Sequence, residues 1–409
     1  MKRLGVVFRV LLALGLAWCA LVEISEAFVG SKFGFRLDGD WFLMLAASSS
    51  SEISEFFHIY GEDLTLALAV LVGLWTVIMC AAFIAKGKWL VVFVAIALVY
   101  VGWNCRSLGR AITWPPVFMA YDTFCRTFQY KELLDAGTWK GDLLPGAAGR
   151  SRETATNIVF VIGESMTTDR MSLYGYAKKT TPFLDGFWDQ MTVMGPVRAT
   201  DPSTLSALRM LLTRSTCKNP AKAIETAAVA FRRRGYRPVL ISNQSRWGRR
   251  CGVGQMLFAA CENSIYLVES EQSRAVSDGK IVSYLQREIA VDDERPFAIF
   301  LHLSGSHFDP AHRVPPWFKA SEDFDAYDRS ILYTDSVLAE IVRSLPPRTM
   351  MIYTSDHGET PDSSSWRDAN SPSLWKVPFI VWPKVDGGRS IDCLDQVFDW
   401  MMDLMGFEI

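Results

Sequence analysis

Short apolar runs that stop abruptly at polar residues recur through the latter part of this chain. Met350-Met351-Ile352-Tyr353-Thr354 runs into Ser355-Asp356-His357-Gly358-Glu359. Residues 157–163 run into Glu164 and Ser165, and residues 297–303 into Ser304-Gly305-Ser306-His307. A continuous apolar run of this length, rich in β-branched and aromatic side chains, predicts a strand buried on both faces. A glycine just beyond it lets the chain turn away. Further strands are predicted at 192–197, 238–242 and 378–382, and helices at 204–212, 221–234, 275–289 and 326–345. Such alternation predicts an α/β layer fold around a central, mostly parallel sheet.

The first quarter follows a different pattern. Residues 64–85 carry no charge, a stretch long enough to cross a hydrocarbon core of about 30 Å at about 1.5 Å per residue. After Lys86-Gly87-Lys88, residues 89–105 form a second uncharged run. Residues 10–22, behind Lys2, Arg3 and Arg9, read either as a third span or as the core of a cleaved signal peptide. Residues 23–63 are predominantly acidic, so the positive-inside rule places the amino terminus and the lysine turn in the cytoplasm and the remainder on the far side. Arg106 and Arg110 run against that rule. Aromatic residues around Pro115-Pro116 suit a segment in the headgroup layer. The chain thus divides into a membrane region at 1–106 with two or three transmembrane helices, an interfacial linker at 107–155 and an α/β domain at 156–409.

Composition adds little beyond exclusions. A formal net charge of −2 over 409 residues leaves no basic footprint for nucleic acid. Cys251 and Cys261 share a polar loop, which allows a disulfide in an oxidising compartment or two buried thiols.

The candidate chemistry comes from the strand ends. If the three principal strands lie parallel, Glu164, Asp356, His357 and His307 meet at one carboxyl edge, where open α/β sheets place their sites. Carboxylates and imidazole around one point suit zinc, at ligand distances of about 2.0–2.2 Å. A lone Asp-His after a strand is ordinarily only a turn, so the weight rests on three strand ends agreeing. Ser203 and Thr204 open the helix at 204–212, where unpaired N–H groups favour an anion. Either hydroxyl reads as an N-cap or as a nucleophile activated by a nearby metal. Asp328 and Asp335 share one helix face and read as capping or exposed residues, or as residues that orient the site.

Gly163-Glu164-Ser165, Arg170-Met171-Ser172-Leu173-Tyr174-Gly175-Tyr176 and Thr180-Thr181-Pro182 resemble the opening signature of the membrane-bound phosphoethanolamine transferases. These form part of the sulfatase-like branch of the alkaline phosphatase superfamily. Ser242-Asn243-Gln244, the stretch His302 to His307, Tyr327-Asp328 with Tyr333 and Asp335, and Ser355 to Glu359 match in the same order. The resemblance covers residues 156–385 and is nearer to members that modify lipopolysaccharide core or periplasmic glucans than to the lipid A enzymes.

It implies an alkaline-phosphatase/sulfatase-like sandwich behind an α-helical membrane region, in a multi-pass protein of the bacterial inner membrane with its catalytic domain in the periplasm. It implies zinc held by Glu164, Asp356, His357 and a nucleophilic threonine, which alignment on Pro202 places at Thr204, with Ser203 as the fallback. His307 matches a histidine that contacts the transferred phosphate or a second metal. Family members often carry another histidine about ten residues beyond the Asp-His pair. Residues 362–368 contain none, so one zinc is expected and a second is left open.

The implied reaction transfers phosphoethanolamine from phosphatidylethanolamine, through a phospho-threonine, to an envelope glycan or lipopolysaccharide. Competing expectations are a sulfatase or a phosphoglycerol transferase on the same scaffold, or a non-catalytic relative that binds the envelope. Sulfatases use Cys or Ser followed by x-Pro-x-Arg, and Cys217-Lys218-Asn219-Pro220-Ala221 departs from that pattern.

Overall fold

A computed structural model describes residues 50–84 and 156–407, apart from 217–224, 246–256, 269–275, 308, 362–369 and 386–388, together with a few positions in 20–31 and 143–144. The chain forms two compact units, 1–45 with 52–127 and 46–51 with 128–409.

In the first unit, helix α1 spans Ser50–Ile84. It contains the stretch Tyr60–Val77, and α1 is the one helix among the described residues long and apolar enough to cross a membrane. Leu66, Leu68, Val70, Val72 and Val77 are exposed along it, the reverse of a core helix and the arrangement a lipid-facing surface needs. The span expected at 64–85 therefore lies within α1 except for its last residue. Those expected at 10–22 and 89–105 lie outside the described residues, as does nearly all of the linker.

The second unit is built on a seven-stranded sheet of order β2-β7-β6-β1-β5-β3-β4. The strands are β1 (Asn157–Gly163), β2 (Thr192–Arg198), β3 (Arg237–Ser245), β4 (Asn263–Val268), β5 (Phe297–His302), β6 (Thr349–Ser355) and β7 (Lys376–Trp382). β4, β3, β5, β1 and β6 run parallel, while β7 lies antiparallel to β6 and β2 antiparallel to β7. Every residue of β1, β5 and β6 is buried, as expected of central strands covered on both faces.

Among the described residues six further helices accompany the sheet: α2 (Pro182–Gly186), α3 (Thr204–Leu212), α4 (Ala227–Arg233), α5 (Lys280–Ile289), α6 (Ala326–Ser344) and α7 (Val397–Leu404). On one face Val159, Val161, Ile299, Leu301, Met351 and Tyr353 share a core with Ile281 and Leu285 of α5 and Ile331, Val337 and Ile341 of α6. The other face carries aromatic pairs: Phe300 of β5 meets Phe231 of α4 at 6.3 Å, and Phe379 of β7 meets Trp400 of α7 at 5.1 Å.

Several boundaries differ from the sequence expectation. α4 starts at Ala227, where the Thr226 hydroxyl accepts from Val229 N–H and caps the helix. α5 starts at Lys280 rather than near 275, because Gly279 N–H bonds the Tyr333 hydroxyl and residues 278–279 form a turn. β4, α2 and α7 are additional elements.

Candidate active site

The strand register assembles the site. β1 and β6 pair Gly163 with Ser355, so both strands end at one level and set Glu164 beside Asp356. β5 pairs His302 with Ile162, which brings the loop from Leu303 to His307 to the same rim. There Gly305 has φ 51, and a Cβ on it would sit 2.6 Å from the Glu164 carbonyl oxygen. Glycine is required by both conformation and space. Asp278 secures this loop, accepting from the N–H groups of Ser304 at 2.8 Å and Gly305 at 2.9 Å.

The turn after β1 is braced from several sides. Ser165 adopts φ 57, a sparsely populated conformation that surrounding bonds must hold. Its N–H donates to Asp356 Oδ1 at 3.1 Å and its hydroxyl to Glu164 Oε1 at 2.9 Å. The Tyr327 hydroxyl, from α6, donates to the Ser165 carbonyl at 2.6 Å and accepts from Thr167 N–H at 3.0 Å.

At the centre, one donor atom each from Glu164, Asp356 and His357 lies within 4.8 Å of the others, and all three residues are buried. His357 Nδ1 is 2.7 Å from the Gly358 carbonyl oxygen. A carbonyl only accepts, so Nδ1 carries a hydrogen, and in the neutral ring Nε2 is left with its lone pair. That lone pair faces Glu164 Oε1 at 3.5 Å and Asp356 Oδ2 at 3.4 Å. Asp356 Oδ2 is buried without a conventional hydrogen bond. Electron-rich atoms converging in a buried place repel one another unless a cation lies among them. One imidazole nitrogen with carboxylate oxygens is a donor set that zinc accepts, so the residues present fit the metal.

Ser203 and Thr204 sit apart in chemistry although adjacent in sequence. Ser203 is the N-cap residue of α3, and its hydroxyl and N–H both reach Asp201 Oδ1, at 2.7 and 2.8 Å. Thr204 begins the helix, and its hydroxyl lies 3.1 Å from Glu164 Oε2 and 3.3 Å from Oε1. The helix places Thr204 beside the acidic cluster and leaves Ser203 in a local turn.

His307 stands on the same rim, half-buried, outside the three-residue cluster. Its Nδ1 lies 3.3 Å from Arg313 Nη2. His302 is enclosed within β5, where burial pushes its pKa down to about 4 against the opposing pull of Asp356. Asp328 is fully buried between Arg170 Nη1 at 2.7 Å and Lys178 Nζ at 2.8 Å, so its exposed reading is corrected. Asp335 accepts from the N–H groups of Phe183 and Leu184 at 2.8 and 3.1 Å, capping α2. Cys261 is a free thiol whose pKa is raised by burial; Cys251 and residues 362–368 lie outside the described residues.

Gln244 was quoted in a motif and given no role. Its amide donates to the Leu303 carbonyl at 2.9 Å and to Glu164 Oε2 at 3.3 Å. Asp278 and Arg313 carried no recognisable signal, because their partners are brought to them by the fold.

Comparison with known proteins places this geometry. A model of the sulfatase family matches residues 156–400. Phosphoethanolamine transferase EptC of Escherichia coli (strain K12) is 28% identical over 293 residues, covering 62% of this chain and 51% of that protein. Phosphoethanolamine transferase CptA of Salmonella typhimurium is 28% identical over 278 residues, covering 59% of this chain and 48% of that protein. The chain spans about half the length of these curated relatives.

Among solved structures, the C-terminal periplasmic domain of Escherichia coli EptC in complex with Zn has a TM-score of 0.57 at 24% identity, covering 66% of this chain and 87% of that chain. The integral membrane protein EptA from Neisseria meningitidis has a TM-score of 0.61 at 17% identity, covering 97% of this chain and 84% of that chain. Likeness at such identity establishes the fold. The chain belongs to the sulfatase family, on a fold it shares with membrane-bound phosphoethanolamine transferases.

Proposed function

We propose that this chain is a zinc-dependent phosphoethanolamine transferase of the bacterial inner membrane, acting on the periplasmic side. It takes the group from phosphatidylethanolamine through a phosphorylated Thr204 and passes it to an envelope glycan or lipopolysaccharide. The observation that carries the reading is the Thr204 hydroxyl at 3.1 Å from Glu164, at a helix start and against the Glu164, Asp356 and His357 cluster. The names of the relatives support the group transferred.

Glu164, Asp356 and His357 would hold the metal with Thr204 beside them; zinc bound there lowers the pKa of a neighbouring hydroxyl and offsets charge on phosphoryl oxygens. The other roles belong to the chain itself. Thr204 Oγ1 forms a bond to phosphorus as the bond to the diacylglycerol oxygen breaks, and the threonine proton ends on the departing oxygen. The start of α3 directs N–H groups toward the phosphoryl oxygens. Gln244 and Ser165 keep the Glu164 carboxylate oriented. In the second half-reaction an acceptor hydroxyl or phosphate displaces Thr204, which regains its proton. His307 faces the transferred phosphate from the rim.

The test uses the purified full chain in detergent with zinc and phosphatidylethanolamine labelled in the ethanolamine and acyl parts. Release of labelled diacylglycerol and a phosphoethanolamine adduct on the Thr204 peptide are expected. Thr204→Ala is expected to end both while the chain still binds zinc. An adduct on Ser203, or turnover that survives Thr204→Ala, would contradict the reading.

A further inference from the structure

The site is supplied by segments that leave different strands: Glu164 follows β1, Asp356 and His357 follow β6, and the approach to Thr204 follows β2. One short turn touches all of these segments. Before entering β7 the chain makes a single 3₁₀ turn, Pro372–Trp375. Leu374 anchors it in the core, and two successive carbonyls serve different halves of the site. The Leu374 carbonyl accepts from Gly358 N–H at 2.8 Å, directly after His357. The Trp375 carbonyl accepts from Ala199 N–H at 2.9 Å, directly after β2 on the way to Thr204.

The contact at Gly358 is close enough to dictate the residue. A Cβ there would lie 2.1 Å from the Ser373 carbonyl oxygen and 3.0 Å from that of Leu374. Both are backbone atoms, so a side chain at 358 would push the turn away from the Asp-His pair. Glycine is needed here for space.

Asp169 pins this turn from outside. It lies in the 3₁₀ turn Thr168–Arg170 that follows Glu164, and its N–H donates to the Thr167 hydroxyl. Its Oδ2 accepts from the Ser373 hydroxyl at 2.6 Å, while Lys376 Nζ lies 3.0 Å from Oδ1 and 3.2 Å from Oδ2. The carboxylate therefore grips the chain on both sides of Leu374 and Trp375, the residues whose carbonyls hold the site. Asp169 and Lys376 are 37% and 40% exposed, and an ion pair in such a place adds little to overall stability. Its consequence lies in the geometry it fixes.

We infer that Asp169 is a positioning residue: by pinning the turn Pro372–Trp375 it sets the spacing between the His357 turn and the segment that carries Thr204. The inference rests on the proposed transferase reading for the role of Thr204, while the clasp itself is a property of the folded chain.

Hydrogen exchange of the full chain in detergent with zinc, read by mass spectrometry, tests the clasp without reference to turnover. Asp169→Ala is expected to speed exchange on the order of tenfold in the peptides containing Gly358 and Ala199 together, with those of β1 and β5 unchanged. In the labelled-lipid assay the same variant is expected to lower kcat on the order of tenfold, a fraction of the loss that about 1 Å of misplacement brings. KM for the lipid and the melting temperature should change little, and Asp169→Glu, which keeps the carboxylate, should recover part of kcat. Ser373→Ala and Lys376→Met remove the partners one at a time and carry the same test if Asp169→Ala fails to fold. Unchanged exchange at either segment, or altered KM or stability with kcat preserved, would overturn the inference. A wild-type chain that forms no adduct on Thr204 would instead sink the transferase reading and leave the exchange result standing.

Discussion

The carboxyl rim of the sheet and the inner face of α6 are both lined with buried polar side chains, yet they use them in opposite ways. On α6 the acids are matched to donors: Asp328 lies between Arg170 and Lys178, and Asp335 takes two backbone N–H groups of α2. On the rim, Glu164 and Asp356 face a ring nitrogen that presents a lone pair. Balanced charge holds a fold together, whereas acceptors turned on one another mark a place for a cation. Both regions belong to the same family signature, so a signature residue need not be a chemical one.

The largest effect should come from breaking the rim. His357→Ala is expected to remove zinc and to lower transfer on the order of 10⁴-fold, a loss of several kcal/mol in transition-state stabilisation, with the melting temperature of the zinc-free chain little changed. Metal analysis and the labelled-lipid assay read the two parts separately.

Breaking α6 should give the opposite result. Asp328→Ala takes the buried carboxylate away from Arg170 and Lys178, leaving Arg170 its exposed-side pair with Asp325 at 3.1 Å, and is expected to cost about 3 kcal/mol. Denaturant unfolding should show that loss, while the folded fraction still binds one equivalent of zinc.

His302 supplies a pH-dependent probe of the strand between these regions. Its pKa in the folded chain is about 4 against an ordinary value of 6.5. Above 6.5 the ring is neutral in both states and contributes nothing to the pH dependence. As pH falls from 6.5 toward 4 the unfolded chain takes up a proton that the folded chain refuses, and stability falls by up to about 3 kcal/mol. Urea unfolding across that window should show the slope, and His302→Gln should flatten it.

The smallest effect is expected at Ser203→Ala, which removes the hydroxyl bond to Asp201. The cost should be about 1 kcal/mol, that of one side-chain hydrogen bond, with transfer activity retained. A large loss of transfer there would move the nucleophile away from Thr204.

The sheet centre was legible because its strands are unbroken apolar runs with sharp ends, and those ends carry Glu164, Asp356 and His357. Parallel register then does the rest. β4 was hidden because Asn263-Ser264-Ile265-Tyr266-Leu267-Val268 is a half-buried edge with a weak pattern. Local pattern alone did not separate Ser203 from Thr204, since both hydroxyls open one helix; the family resemblance pointed to Thr204, and the structure turns Ser203 toward Asp201. The braces at Asp278, Tyr327 and Arg313 were invisible for another reason. What each one holds lies on a separate element or across a tight turn, and nothing in local composition announces such a partner.

The central claim is that two strand ends, after β1 and β6, and one helix start make a single zinc site. X-ray absorption at the zinc edge of the purified full chain tests it most directly. The account predicts nitrogen and oxygen ligands at about 2.0–2.2 Å, no sulfur, a single imidazole signature, and loss of the zinc signal itself in His357→Ala. Zinc held through sulfur, or a spectrum that His357→Ala leaves unchanged, would contradict it.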